Sequence, residues 1–315
     1  MEKLRCLVAL PTADTEYQIE QSTDAQSVAK QLNIELEIVY ADNDAVAQSL
    51  QLLQAIQSST ERRPEAIIVE PVGVSAMPRV AQAACEAGIA WAVLNNQPDY
   101  IPELRKLFAA PSFSVGSDQH EIGRIQGRQF STLLPSGGTI LYIHGPSQSI
   151  AARQRIAGMH ETKLPNLDVK FLAAQWTRES ATRSVRNWLT LTATRQMRIA
   201  LVGAQSDAMA LGARLALEEN YGTSRGWHDL PFTGCDGTRN AGHHWIRDGY
   251  LTATITIPPN ASVAMEMCHK ALRGDYAPPE YTLTVPETYP SFESLKNFHA
   301  RVPRNFAWHL SHANF

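Results

Sequence analysis

The sequence predicts an α/β protein of two Rossmann-like lobes, each a parallel sheet flanked by helices. Three observations carry this. The chain has 315 residues, more than one hydrophobic core usually serves. Strand-sized apolar segments alternate with amphipathic stretches, and their spacing of about 25–30 residues leaves room for one helix between each pair. The segments also fall into two sets of five, the mark of a duplicated architecture.

The first set reads LRCLVAL (4–10), IELEIVY (34–40), AIIVE (66–70), IAWAVL (89–94) and SFSVG (112–116). The second reads TILYIH (139–144), DVKFLAA (168–174), RIALVG (198–203), LPFTGC (230–235) and LTATITI (251–257). Several are apolar throughout, as expected where helices cover both sheet faces. Between them, Val46, Leu50, Leu53 and Ile56 recur at helical spacing. Asp118 and Glu121 form a D-x-x-E capping box that starts a helix. Thr177 is suited to cap another, with Glu179 in its first turn, and Gly274 closes the helix that begins near Asn260. No Gly/Ser linker separates the halves, and the short junction at 116–118 suits a hinge. From Val285 the pattern changes to a tail rich in Pro286, Tyr289, Pro290, Phe292, Phe298, Phe306 and Trp308. So many aromatics predict a tail lying against a lobe or a partner.

Composition narrows the function. Hydrophobic residues make up 44% and charged residues 19%, with a net charge of −3, the profile of a soluble globular protein. No basic block marks a nucleic-acid face. Arg178, Arg183 and Arg186 read as a solvated helix face. No apolar run approaches the roughly 18 residues of a membrane helix, so no membrane insertion is expected. Residues 4–10 resemble a short leader core, but Pro11 follows and no small-residue cleavage site does. They are read as a core strand, which leaves a cytoplasmic protein or one whose leader has been removed. Cys6, Cys85, Cys235 and Cys268 form no C-x-x-C pair and are read as buried packing thiols.

No cofactor and no metal are expected. The GPSQSIAAR segment lacks the dinucleotide glycine spacing, and there is no P-loop lysine and no G-x-S-x-G elbow. His160, His243, His244 and His269 are divided among elements or helix faces, and Met209 and Met267 sit at core spacing. Parallel sheets bind ligands outside the carboxyl ends of their strands. There the sequence places Tyr17, Arg153, Trp176 and Asp236.

Three segments carry a resemblance: SQSIAARQRIAG (147–158), AQSDAMALGA (204–213) and TGCDGTRNA (233–241), the last followed by DGYLTATI (248–255). In order and spacing the chain resembles the ribose-type, sugar-binding branch of the type I periplasmic binding proteins over roughly residues 4–285. Their core is shared with the ligand domains of lactose-repressor-like regulators. The resemblance implies a three-strand hinge, with crossings near Ser117–Asp118, Thr256–Ile257 and Thr284–Val285. It implies one lobe of 1–117 plus 258–284 and another of 118–256 plus 285–315.

The implied function is non-enzymatic: a solute-binding protein that closes on a small sugar-like ligand for ABC-type import. Its partner is then a membrane permease, its location the periplasm or cell envelope, and its state monomeric. The alternative is a sensing subunit of the same fold, cytoplasmic or docked on a receptor. Tyr17 and Trp176 match aromatic platforms for sugar rings, Arg153 an arginine that pairs hydroxyls, and Asp236 an acceptor of hydroxyl hydrogens. Gln18, Asn95, Asn96, Ser206, Asp207 and Ile257 complete the expected ligand set. Within it, Asn95–Asn96 stand where relatives often carry Asp-Arg, Ser206 where they carry Asn, Ile257 where they carry Gln, and Gln18 where they carry a second aromatic. A deoxy sugar, an aromatic glycoside or another small metabolite therefore stays open beside a plain sugar.

Overall fold

In the computed structural model, residues 3–72, 77–192, 197–221, 227–299 and 308–309 are described. The chain divides into two units, Met1–Ser117 with Pro258–Val285 and Asp118–Ile257 with Pro286–Phe315. It therefore passes between them at 117–118, 257–258 and 285–286.

Unit 1 holds β1 (Arg5–Leu10), β2 (Glu35–Tyr40), β3 (Ala66–Val69), β4 (Ala90–Leu94), β5 (Ser112–Ser117) and β12 (Tyr281–Thr284). They form one six-stranded sheet in the order β12-β5-β4-β3-β1-β2, with parallel pairing throughout. Alternation along β1 explains why it is apolar at every position after Arg5. Cys6, Val8 and Leu10 face a core shared with α1 (Glu16–Leu32) and α10 (Asn260–Arg273). Leu7 and Ala9 face the opposite core, built with α2 (Ala45–Ile56), α3 (Met77–Glu86) and α4 (Ile101–Leu107).

The α2 helix forms over the expected stretch but turns another face inward. Val46 and Leu50 are 68% and 63% exposed, while Gln48, Leu52 and Ile56 are buried. Gln48 tolerates burial because its amide is bonded: Nε2 donates to the Glu70 carbonyl at 2.8 Å, and Oε1 accepts from the Val72 N–H at 2.9 Å.

Unit 2 opens with α5 (Gln119–Leu133), capped by Asp118, whose side chain accepts from the Glu121 N–H. Then come β6 (Gly138–His144), α6 (Ile150–Thr162), β7 (Leu167–Ala173), α7 (Arg178–Leu189), β8 (Arg198–Ile199), β9 (Leu201–Ala204), α8 (Asp207–Tyr221) and β10 (Phe232–Thr233). Thr177 caps α7 as expected. Gly274 ends α10 but in an extended conformation, at φ −146°. The unit 2 sheet has the parallel order β10-β9-β6-β7. The four cysteines are free and buried.

The expected fifth strand at 251–257 forms beside β10. After α9 (Gly242–Arg247), β11 (Thr254–Thr256) runs parallel to the chain at 232–236 through the bridges Thr233–Ala253 and Asp236–Thr256 and backbone bonds such as Gly234 N–H to the Ala253 carbonyl. Its ladder partner is β13 (Glu287–Tyr289) of the tail, and that pairing is antiparallel. Gln129 fastens both strands from α5: its buried Nε2 donates to the Thr254 carbonyl at 2.8 Å and to Thr288 Oγ1 at 3.0 Å. The tail continues in α11 (Phe292–His299), whose Leu295 is buried against Phe130, Leu133 and Ala253. A last strand, β14 (Trp308–His309), pairs antiparallel with β8. Phe306 and the side chains of Phe298 and Trp308 lie outside the described residues. No helix among the described residues is long and apolar enough to cross a membrane.

Candidate functional site

Each sheet places its chemistry at the carboxyl ends of its strands. In unit 1, Thr15 caps α1 by accepting from the Gln18 N–H at 3.4 Å, which sets Tyr17 and Gln18 in the first turn. Asn95 follows β4 with φ +57°, a left-handed conformation that asparagine accepts more readily than most residues. Its Nδ2 donates to the Tyr17 hydroxyl at 3.1 Å. Its Oδ1 accepts from Asn260 Nδ2 at 2.6 Å. Asn260, buried at the start of α10, also donates to Ser117 Oγ at 3.3 Å and accepts from Thr284 Oγ1 at 2.8 Å. One network thus runs from Tyr17 to the last residues of β5 and β12. Asn96 turns back, its Nδ2 donating to the Leu94 carbonyl at 3.4 Å.

Unit 2 is organised around Trp176 and Arg155. Trp176 follows β7 at φ +66°, which is rare and strained for so bulky a residue. Its ring lies over Gly145, where a Cβ would stand 2.1 Å from a ring carbon, so glycine is required there. The Arg155 guanidinium sits 5.5 Å from the Trp176 ring centroid. Arg155 is only 6% exposed. Its Nε donates to Gln119 Oε1 at 2.8 Å, and its Nη1 donates to the Gln205 carbonyl and to Cys235 Sγ. Gln205 ties the same corner together: Oε1 accepts from the Gly145 N–H at 3.0 Å, and Nε2 donates to the Ala152 carbonyl at 3.0 Å.

The loop after β10 carries Asp236 at φ +113°. Its N–H donates to the Ile255 carbonyl, and its own carbonyl accepts from the Ile257 N–H, both at 3.0 Å. Behind it, Asp207 holds the loop in place. Asp207 Oδ2 accepts from the Gly237 N–H at 2.8 Å, and Oδ1 accepts from the Thr254 hydroxyl at 2.6 Å. Ser206 caps α8, accepting from the Met209 N–H at 3.1 Å.

The fold therefore gathers Tyr17, Gln18, Asn95 and Asn96 at one edge of unit 1. In unit 2 it gathers Trp176, Ser206, Asp207, Asp236 and Ile257. Arg153 stands apart: it is exposed, and its Nη1 donates to the Ser147 and Gln148 carbonyls of the preceding loop. The buried arginine is the second of the R-Q-R triplet. The signal for it was helix phase, since Ala152, Arg155 and Met159 share the buried stripe of α6. Close packing fixes that phase: a Cβ on Gly123 of α5 would fall 2.1 Å from the Arg155 carbonyl oxygen. The Asp207 carboxylate holds Gly237 and Thr254, and Ser206 caps α8, so both serve the structure of unit 2. Glu70 and Gln205 follow predicted strands but were not placed in the ligand set, and Asn260 was read only as a helix start, because a buried polar partner is marked by distant contacts.

Comparison with known proteins gives a consistent picture. The model of the periplasmic binding protein domain matches residues 7–275. A putative rhizopine-binding protein of Rhizobium meliloti is 28% identical over 225 residues, 69% of this chain and 67% of its own. A xylitol-binding protein of Mycolicibacterium smegmatis is 29% identical over 230 residues, 72% of this chain but 60% of its own length. Among solved structures, an ABC transporter periplasmic solute binding protein from Actinobacillus succinogenes 130z with bound D-allose matches with a TM-score of 0.77. Its identity is 22%, over 94% of this chain and 100% of that one, so the likeness speaks to the fold. The family match spans most of the chain, and the three motifs stand in order along it: this protein belongs to the type I periplasmic binding proteins.

Proposed function

We propose that this protein is the solute-binding component of an ABC-type uptake system and that its ligand is a small sugar or polyol. The observation that carries the reading is Trp176. An indole held at φ +66° against a required glycine, with a buried guanidinium beside it, is costly for the fold alone. It suits a ligand with an apolar C–H face and a rim of hydroxyls, where the ring packs on the face and Arg155 and Asp236 address the rim. The names of the relatives, which concern xylitol and rhizopine binding, support the same ligand class.

The role is binding without turnover, as in the family at large. We place the protein in the periplasm or cell envelope, as a monomer serving a membrane permease. A thermal-shift screen over pentoses, hexoses, pentitols and inositols tests this. At least one ligand is expected to raise the melting temperature, and Trp176→Ala and Asp236→Ala to abolish the rise. Wild-type responses from both variants would show the site to be elsewhere.

A further inference from the structure

Glu70 is a buried acid of unit 1 with one carboxylate oxygen left unmatched. It follows β3 at the carboxyl edge of the sheet, and Gln48 pins its backbone carbonyl from behind. Its Oε2 is buried with no hydrogen-bond partner. Gln18 Oε1, in the first turn of α1, is likewise buried without a donor. The corner therefore offers two unmatched acceptors, one of them acidic, beside Tyr17 and Asn95. Burial pushes the Glu70 carboxyl up from its ordinary value, while hydrogen bonding from the Gln18 and Asn95 side chains pulls it back down. Among the described residues, no arginine or lysine contributes to its environment.

A buried acceptor without a donor costs about 1–3 kcal/mol, and more when charged. A ligand hydroxyl brings one donor and leaves the carboxylate uncompensated in a low dielectric. A primary ammonium brings three donors and the opposite charge. We propose that Glu70 selects an amine-bearing polyol, an amino sugar or amino-cyclitol, seating its ammonium group against Oε2 with Gln18 Oε1 as second acceptor. This rests on the polyol reading above and narrows it.

The test is calorimetric titration with matched pairs at pH 7.5: D-glucose against D-glucosamine, D-galactose against D-galactosamine, and myo-inositol against an amino-deoxy-inositol. In at least one pair the amine is expected to bind wild type tenfold or more tightly, and Glu70→Gln to erase that preference while keeping affinity for the neutral member. Should Glu70→Gln fold poorly, titration of the wild type in two buffers of different ionisation enthalpy replaces it. Amine binding should then release protons, as the carboxyl ionises on pairing, whereas neutral polyols should release none. Equal affinity within every pair, or a preference that survives Glu70→Gln, overturns this inference alone. If neither member of any pair binds, the polyol reading fails and this inference fails with it.

Discussion

Asp207 provides the sharpest separation of structure from ligand binding. It stands in the S-D-x-M motif that suggests a site acid, yet it is 3% exposed and both carboxylate oxygens are engaged internally. Asp207→Ala leaves the Gly237 N–H and the Thr254 hydroxyl buried without an acceptor. Each orphaned donor costs about 1–3 kcal/mol, so the variant should lose about 3–5 kcal/mol. Thr254→Val removes one of the two donors. In the Asp207→Ala background it should therefore cost less than in wild type, with a coupling of about 1–2 kcal/mol. Urea unfolding followed by tryptophan fluorescence measures all four proteins of this cycle. Asp236→Asn is the contrast: asparagine also tolerates positive φ, so stability should change by about 1 kcal/mol or less while ligand affinity falls. If Asp207→Ala lies within about 0.5 kcal/mol of wild type, the carboxylate does not hold the loop, and its placement as a structural acid is wrong.

Four further outcomes follow from the geometry. Arg155→Ala should weaken ligand binding by about 10- to 100-fold, the worth of a charge-assisted hydrogen bond and its stacked ring, whereas Arg153→Ala should leave affinity unchanged; titration of the two variants decides between them. Gly145→Val should displace the Trp176 ring, because even a Cβ there would come within 2.1 Å of it, and should abolish ligand-induced quenching of tryptophan fluorescence. Leu295→Ala should cost about 2–4 kcal/mol in urea unfolding, since Leu295 of the tail is buried in the unit 2 core. His243 stacks on Tyr289 at 3.8 Å and is held below its ordinary pKa by burial, then by Arg247 and Arg239. Its folded pKa lies below its unfolded one, so the unfolded state binds more protons in the window between them. Stability should fall as pH drops below about 6.5, and His243→Gln should flatten that slope in melts at pH 5.5 and 7.5.

In unit 1, β3 and β4 were legible because each is apolar on both faces, and a sheet sandwiched between helices explains that. Asp118 and Thr177 were legible as caps because a cap is a contact within four residues of its own chain. What could not be read depends on distant partners. Val46, Leu50, Leu53 and Ile56 share a helical spacing, yet Val46 and Leu50 are exposed, and Gln48, with its amide bonded at both ends, is buried with Ile56. The stretch at 251–257 was read as a strand and runs beside β10, but its second, antiparallel neighbour in the tail could not be read. Arg153 and Arg155 look equivalent in R-Q-R, and only the meeting of α5 with α6 decides which is buried. A satisfied structural acid such as Asp207 and the acid proposed to meet the ligand, Asp236, are the same letter.

The central claim is that the protein binds a sugar or polyol and does not transform it. The most direct measurement is calorimetric titration of the wild-type protein with the sugar, polyol and cyclitol panel, followed by chromatography of the recovered ligand. Saturable one-to-one binding at micromolar affinity or tighter, with the ligand recovered intact, is the predicted result. Absence of saturable heat across the whole panel, or recovery of a changed product, contradicts it.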